Sequence, residues 1–308
     1  MLTKLIDGWK IVQSTTRSRD SEKNSRYESL EHGPSLVKLA LSAHPAGPIC
    51  DRTHISAELF HMTAAICLWS GPRNVSTALM YSFAQRCDIQ VVDEPLYGHY
   101  LRISGAEHPG REDVLAAMNL DGDAVMRQLL EAQARQTSKR LFLKHMAHHL
   151  VAMNLGFLRD TNNVFLIRDP QEMLPSLTIQ LPHAQLRDTG LQRQWQLFSD
   201  LQDAGQRAVI LDSKELLLDP PGVLAALCEK VGLEFDNKML HWTAGSIPED
   251  GVWAPHWYHA VHRSTGFETY VRKTEFPKHL QTLLAECRPW YERLFEHAIR
   301  ARTSGDSQ

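Results

Sequence analysis

The chain reads as an α/β protein with a mostly parallel central sheet flanked by helices. Three observations predict this. From residue 64 onward, short runs rich in Val, Ile, Leu and Phe alternate with stretches of helical apolar spacing. The short runs are apolar throughout rather than alternating, as strands covered on both faces are. The segments between them are long enough for the right-handed crossovers that join parallel strands.

In chain order, strands are expected at 64–69, 89–92, 140–143, 163–167 and 208–211. Helices are expected at 76–86, 114–136, 171–177, 191–204 and 221–231. A closing amphipathic helix over 278–299 would bury Leu280, Leu283, Leu284, Tyr291, Leu294 and Phe295. Stretches 97–113, 181–190 and 242–262 are poorly periodic and read as loops beyond the sheet edge, where specificity resides in such folds.

The 308 residues are 43% hydrophobic and 22% charged, an ordinary globular balance. A formal charge of −3 gives no global pull towards nucleic acid or an anionic membrane, so neither is expected as a partner. The five cysteines are odd in number and form no Cys-x-x-Cys pair, which points to reduced, intracellular thiols. No apolar run is long enough to span a bilayer, and no signal-peptide core opens the chain, so a cytoplasmic location is expected. Residues 14–33 hold little that can be buried. The expectation is that residues 1–61 are disordered or a mis-called extension before Met62, with the α/β domain occupying 62–303. The sequence leaves oligomeric state open.

The first strand runs into Ser70-Gly71-Pro72-Arg73-Asn74-Val75-Ser76-Thr77-Ala78-Leu79. Gly71 and Pro72 favour a tight turn, and Ser76 or Thr77 is placed to cap the helix that follows. Free backbone N–H groups, the positive helix end and Arg73 then surround one point, an anion cradle. The Walker pattern GxxxxGK[ST] is absent, and with it the hydroxyl that would hold Mg²⁺. A phosphoryl transfer usually needs that ion, whereas a sulfuryl group carries less charge, so the loop favours a metal-free donor reaction. A second grip follows the fourth strand. Arg168-Asp169-Pro170 precedes a helix bearing Ser176, so a guanidinium fork and a hydroxyl eight residues apart can meet on one phosphate, with Asp169 as N-cap.

Together these segments resemble the sulfotransferases. The 70–79 loop is similar to their 5′-phosphosulfate loop, with Arg73 in the basic position and Ser76 and Thr77 in the hydroxyl positions. It departs at Asn74-Val75, where the family commonly has Ser-Gly. The Arg168-x-Pro…Ser176 spacing is similar to their 3′-phosphate motif. The segment 211–233 resembles their late strand–helix stretch, and His262-Arg263-Ser264-Thr265-Gly266-Phe267 weakly resembles the loop closing on the 3′-phosphate. The resemblance covers 64 to about 267. It implies a three-layer, P-loop NTPase-like α/β fold and 3′-phosphoadenosine-5′-phosphosulfate as donor. The donor would be bound by Arg73, Asn74, Val75, Ser76, Thr77, Ala78, Arg168, Ser176, Arg263 and Ser264. The acceptor would be the hydroxyl or amine of a small molecule.

Such an acceptor must lose a proton, so a base is expected at the pocket mouth. Glu94, in Asp93-Glu94-Pro95 at the end of the second strand, is the first candidate, because some bacterial sulfotransferases use a Glu shortly after the first crossover. The third strand ends in Lys144-His145-Met146-Ala147-His148-His149, similar to the Lys-Thr-His of cytosolic sulfotransferases. There the Lys steadies the leaving sulfate oxygen and the His is the base. Lys144 matches, Met146 stands in the His position, and His145 or His148 would substitute. No metal is expected: the His145/His148/His149 and His256/His259/His262 groups lack partners at ligand spacing. Trp242, Trp253, Trp257 and Tyr258 either line an acceptor pocket or pack the last segment on the core. Two other readings stay open: a Mg²⁺-dependent kinase or hydrolase using Asp93, and a catalytically silent nucleotide-binding protein, suggested by Val75 and Met146.

Overall fold

In the computed structural model, which describes residues 63–135, 138–272 and 275–302, each expected apolar run is a strand. The expectations for residues 1–61 and for Met62 as a start lie outside those residues. The strands are β1 (Ile66–Ser70), β2 (Ile89–Asp93), β3 (Arg140–Met146), β4 (Asn162–Ile167) and β5 (Ala208–Asp212). A two-residue β6 (Ala298–Ile299) joins them. Among the described residues these form one six-stranded sheet, all parallel, in the order β2-β3-β1-β4-β5-β6. The central strands are almost wholly buried, which is why they read as unbroken apolar runs.

The helices divide between the two faces. Helix α1 (Ser76–Ala84) packs Leu79, Met80 and Phe83 against Ile66, Leu68, Val164 and Leu166. The helices α2 (Tyr97–Ser104), α3 (Arg111–Ala117) and α4 (Gly122–Arg135) follow β2. Next come α5 (Pro170–Gln180), α6 (Leu186–Thr189) and α7 (Leu191–Asp203). Helix α5 packs Met173, Leu174 and Leu177 with Cys67, Trp69, Phe165 and Ile167 on the face opposite α1. After β5 come α8 (Ser213–Leu218), α9 (Pro220–Lys230), α10 (Ala254–Trp257) and α11 (Gln281–Phe295).

Thus β1 and β4 are neighbours whose following helices leave to opposite faces. That is a topological switch point, where the loops after two adjacent strands part and leave a crevice beyond their carboxyl ends. The loop after β1 carries Arg73 and the one after β4 begins with Arg168.

Several elements differ from the sequence reading, among them α6 and α10, which lie within the stretches 181–190 and 242–262 expected as loops. The helix expected over 114–136 is two, α3 and α4. Between them Asn119 Oδ1 accepts from Asp121 N and Asp121 Oδ1 from Ala124 N, turn chemistry that competes with a continuous helix. The 97–113 stretch opens with α2 rather than a loop. The closing helix ends at Phe295, and Ala298–Ile299 instead pairs with Ile210 and Leu211. Asp169, expected as an N-cap, accepts from Gln171 N at 2.8 Å. No helix of the described residues is long and apolar enough to cross a membrane.

Candidate active site

Beyond the carboxyl ends of β1 and β4 lies a cavity of about 300 Å³. Its wall includes Arg73, Asn74, Val75, Ser76, Thr77, Ala78, Arg168, Glu94 and Ser264. The loop after β1 forms one end. Gly71 has no room for a side chain, because a Cβ there would collide with Thr189 O. Arg73 and Val75 both adopt left-handed backbone, φ 61° and 56°. Val75 is the N-cap of α1, and no side chain caps the helix. The expected cap by Ser76 or Thr77 is therefore absent, and both residues instead stand on the cavity wall at the helix start. Their N–H groups and that of Ala78 belong to the first turn, whose amides have no partner within the helix.

The loop is fastened to β4 and β5. Asn74 Nδ2 donates to Leu166 O at 3.0 Å, and Ser213 Oγ lies 2.9 Å from Asn74 O and 2.8 Å from Ile167 O. Gln194 Nε2 ties the strand ends together through Trp69 O and Leu166 O. The side-chain nitrogen of Asn74 is thus committed to the scaffold, while its Oδ1 is buried without a hydrogen-bond partner.

The two arginines converge. Arg168 Nη1 donates to Arg73 O at 2.7 Å, and Arg73 Nε donates to Ser176 Oγ at 2.8 Å. Burial and the charge of Arg168 both lower the pKa of Arg73, so the guanidinium groups sit close enough to disfavour one another. Glu172 Oε2 is 3.7 Å from Arg168 Nε and Tyr270 Oη donates to Glu172 Oε1 at 2.5 Å. Two cations held together in a crevice favour an anion between them.

The other end is acidic and aromatic. Lys144 Nζ, fully buried, donates to Asp93 Oδ1 at 2.9 Å, Glu94 Oε1 at 2.5 Å and Tyr258 Oη at 2.8 Å. Tyr258 Oη lies 2.7 Å from Asp93 Oδ2 and accepts from Trp253 Nε1 at 3.0 Å. Two carboxylates share one ammonium here. Burial, with Asp93 adding to it, raises the pKa of Glu94, while Lys144 opposes the rise. Of these groups Glu94, Trp253 and Tyr258 reach the cavity wall. Glu94 does so with φ 38°. Residues 242–267 close over this end, anchored where Tyr81 Oη and His262 Nε2 meet Asp250 Oδ2 at 2.7 and 2.8 Å.

Four expected residues are off the cavity wall: Lys144, His145, Arg263 and Ser176, the last of which meets the site through its bond from Arg73 Nε. Lys144 is engaged by carboxylates beneath the cavity and does not present its ammonium to a bound group. His145 alternates to the opposite face of the sheet, where its ring stacks on Trp69 at 4.4 Å; burial lowers its pKa to about 3 and neither nitrogen has a hydrogen-bond partner. The register of β3 dictates this: successive residues point to opposite faces, so Lys144 and His145 cannot share one. Arg263 is exposed and off the cavity wall, and Ser264 is engaged with Trp242 Nε1 and Val261 O. Met146 lies on the wall. Among the described residues no group of three or more His, Cys, Asp or Glu is disposed to hold a metal ion. Sequence reasoning missed Tyr97 and Tyr100 on the wall, although their three-residue spacing on a short helix puts both on one face.

Known proteins supply a comparison. Two Arabidopsis thaliana proteins, branched-chain-amino-acid aminotransferase-like proteins 2 and 1, are 38% and 39% identical over 231 and 233 residues. Each match covers 74% of this chain, and the chain spans only 41% of either relative. Among solved structures it is similar to a sulfotransferase from Alicyclobacillus acidocaldarius (14% identity, 76% and 94% of the two chains, TM-score 0.47). It is also similar to the sulfotransferase domain of the Synechococcus PCC 7002 olefin synthase (16%, 72% and 93%, TM-score 0.40). The sulfotransferase domain model matches residues 64–298, the whole of the sheet but its last residue, and the chain belongs to that family.

Proposed function

We propose that the chain transfers a sulfuryl group from 3′-phosphoadenosine-5′-phosphosulfate to a hydroxyl or amine of a small molecule, without a metal ion. The observation that carries this reading is the meeting of Arg73 and Arg168 on one crevice at the switch point, with Ser176 bonded to Arg73, beside the free amides that open α1. In the proposed reaction the loop and Arg73 hold the 5′-phosphosulfate while Arg168 and Ser176 hold the 3′-phosphate. The acceptor atom forms its bond to sulfur as the bond from sulfur to the 5′-phosphate oxygen breaks. The electron pair leaves with 3′,5′-diphosphoadenosine, and Glu94 receives the acceptor's proton. Lys144 acts through Glu94 rather than on the donor.

The phosphoryl-transfer reading loses its metal ligand, since Asp93 is committed to Lys144, Tyr258 and Gly251 N. The silent-protein reading weakens too, because Val75 adopts the backbone conformation that glycine would supply. The Arabidopsis relatives' aminotransferase-like names carry no activity over to this chain. Calorimetric titration with 3′,5′-diphosphoadenosine tests the reading. Arg73→Ala and Arg168→Ala should each weaken binding by about 1.5–3 kcal/mol, the range for a charge-assisted hydrogen bond. Unchanged affinity in both would refute it, and loss of turnover on adding chelator would redirect it to phosphoryl transfer.

A further inference from the structure

We propose that the cavity end away from the arginines receives an uncharged, hydroxyl-bearing compound, with its hydroxyl oxygen held between Glu94 Oε2 and His149 Nδ1. This rests on the sulfuryl-transfer reading above and names its acceptor. The two atoms are 4.0 Å apart, too far to bond one another but spaced so that one oxygen can lie about 2.8 Å from each. His149 is buried, and its Nδ1 has no hydrogen-bond partner. The imidazole is not free to turn away. It is sandwiched between Tyr97 (5.0 Å, 2° interplanar) and Tyr100 (4.5 Å, 21°).

With His149 in its Nδ1–H tautomer, a hydroxyl satisfies both neighbours at once, accepting from Nδ1–H through one lone pair and donating its proton to Glu94. Its second lone pair stays available to attack sulfur. That oxygen bonds to sulfur as the 5′-phosphate oxygen departs with its electron pair, and the proton passes to Glu94. An ammonium group has no lone pair to accept from His149 and fits the gap poorly.

Charge selects against acids. The groups facing Glu94 are Asp93, Lys144 and Tyr258 from beneath and His149 and Tyr97 from the side. Lys144 is fully engaged, and burial lowers the pKa of His149 well below the ordinary value. His148 is lowered to about 3 in the same way, so both rings are neutral. The cations on the cavity wall, Arg73 and Arg168, lie at the loop end. A carboxylate on the acceptor would therefore meet Glu94 and no compensating charge.

The test titrates the protein, saturated with 3′,5′-diphosphoadenosine, with 4-ethylphenol, ethylbenzene and 4-ethylbenzoate. The phenol should bind at least tenfold more tightly than either analogue. His149→Phe, which keeps the ring stack, should abolish the advantage over ethylbenzene while leaving the diphosphate affinity unchanged. His149→Gln, which retains a donor, should keep part of it and serves if the Phe variant does not fold. Equal binding of the benzoate, a phenol advantage that survives in His149→Phe, or no binding of any of the three would overturn the proposal. Failure of the wild-type protein to bind the diphosphate would instead refute the donor reading.

Discussion

Replacing Lys144 with Met probes the acidic end of the site most directly, because it removes one charge and leaves most of the side-chain volume. Lys144 is fully buried and bonds two carboxylates and a phenol. Removing one partner of such a buried pair costs about 3–5 kcal/mol, since the remaining charges lose their counter-ion. Unit charges about 4 Å apart at an effective dielectric of ~20 interact by about 4 kcal/mol, and about 1.4 kcal/mol corresponds to one pH unit. Burial already raises Glu94 while Lys144 holds it down, so without Lys144 the carboxylate stays protonated to higher pH. The folded variant then binds protons that the unfolded chain has released, and its stability falls as pH rises. The destabilisation read from urea unfolding should thus be larger at pH 8 than at pH 5.5. The acid limb of kcat/KM, if Glu94 is the base, should move upward by at least one pH unit. An equal loss at both pH values with an unmoved limb would refute the argument and return Lys144 to a purely structural role.

Other substitutions address the loop and the misplaced histidine. Val75→Gly should change stability by less than about 1 kcal/mol in urea melts, because release of a left-handed β-branched residue, worth about 1–2 kcal/mol, offsets lost packing and chain entropy. Gly71→Ala should cost about 2–4 kcal/mol and weaken diphosphate binding, since the new Cβ collides with Thr189 O. His145→Phe should stabilise the protein by about 1–3 kcal/mol at neutral pH, by removing two unsatisfied nitrogens while keeping a ring on Trp69. Burial depresses His145 from 6.5 to about 3, so its stability term is complete above pH 6.5 and lost as pH falls towards 3. The advantage of the variant should therefore widen between pH 7 and pH 4, with turnover unchanged; lost turnover would restore His145 as the base.

The sheet was legible because doubly covered strands have to be apolar along their length. All five expected strands appear within two residues at the start and within three at the end. Strand β6 left no trace because two residues have no period, and α3 and α4 merged because Asn119 and Asp121 act through local side-chain bonds that an apolar count ignores. At the site, residues whose placement follows from position along a strand–loop–helix unit could be located from sequence, and Arg73, Arg168 and Glu94, all on the cavity wall, are such residues. Placement that follows from facing direction could not be read in the same way. Lys144 and His145 are adjacent in sequence and stand on opposite faces of β3. Tyr258 and His149 enter through contacts distant in the chain, as Tyr258 meets Asp93 across 165 positions and His149 meets Glu94 from beyond the neighbouring strand.

Backbone strain ties these observations together. Of the four described non-glycine residues with positive φ, Arg73, Val75 and Glu94 stand on the cavity wall. Such conformations cost of order 1–3 kcal/mol each and persist where surrounding contacts over-determine them. Those contacts are visible for the loop: Arg73 O accepts from Arg168, Asn74 is bonded through both its side chain and its carbonyl, and Gly71 is pressed against Thr189. For Glu94 the restraints are the side-chain bond from Lys144 and the 2.8 Å backbone bond that its own N–H donates to Lys144 O. Both ends of the cavity are thus fixed before anything binds. On the proposed reading, an anion entering at the arginines would meet amides that need no rearrangement, and an acceptor would meet a carboxylate already aimed. Affinity for the donor should accordingly depend on residues that never touch it, Asn74 and Ser213 first, because they hold the strained loop in the shape that makes it a cradle.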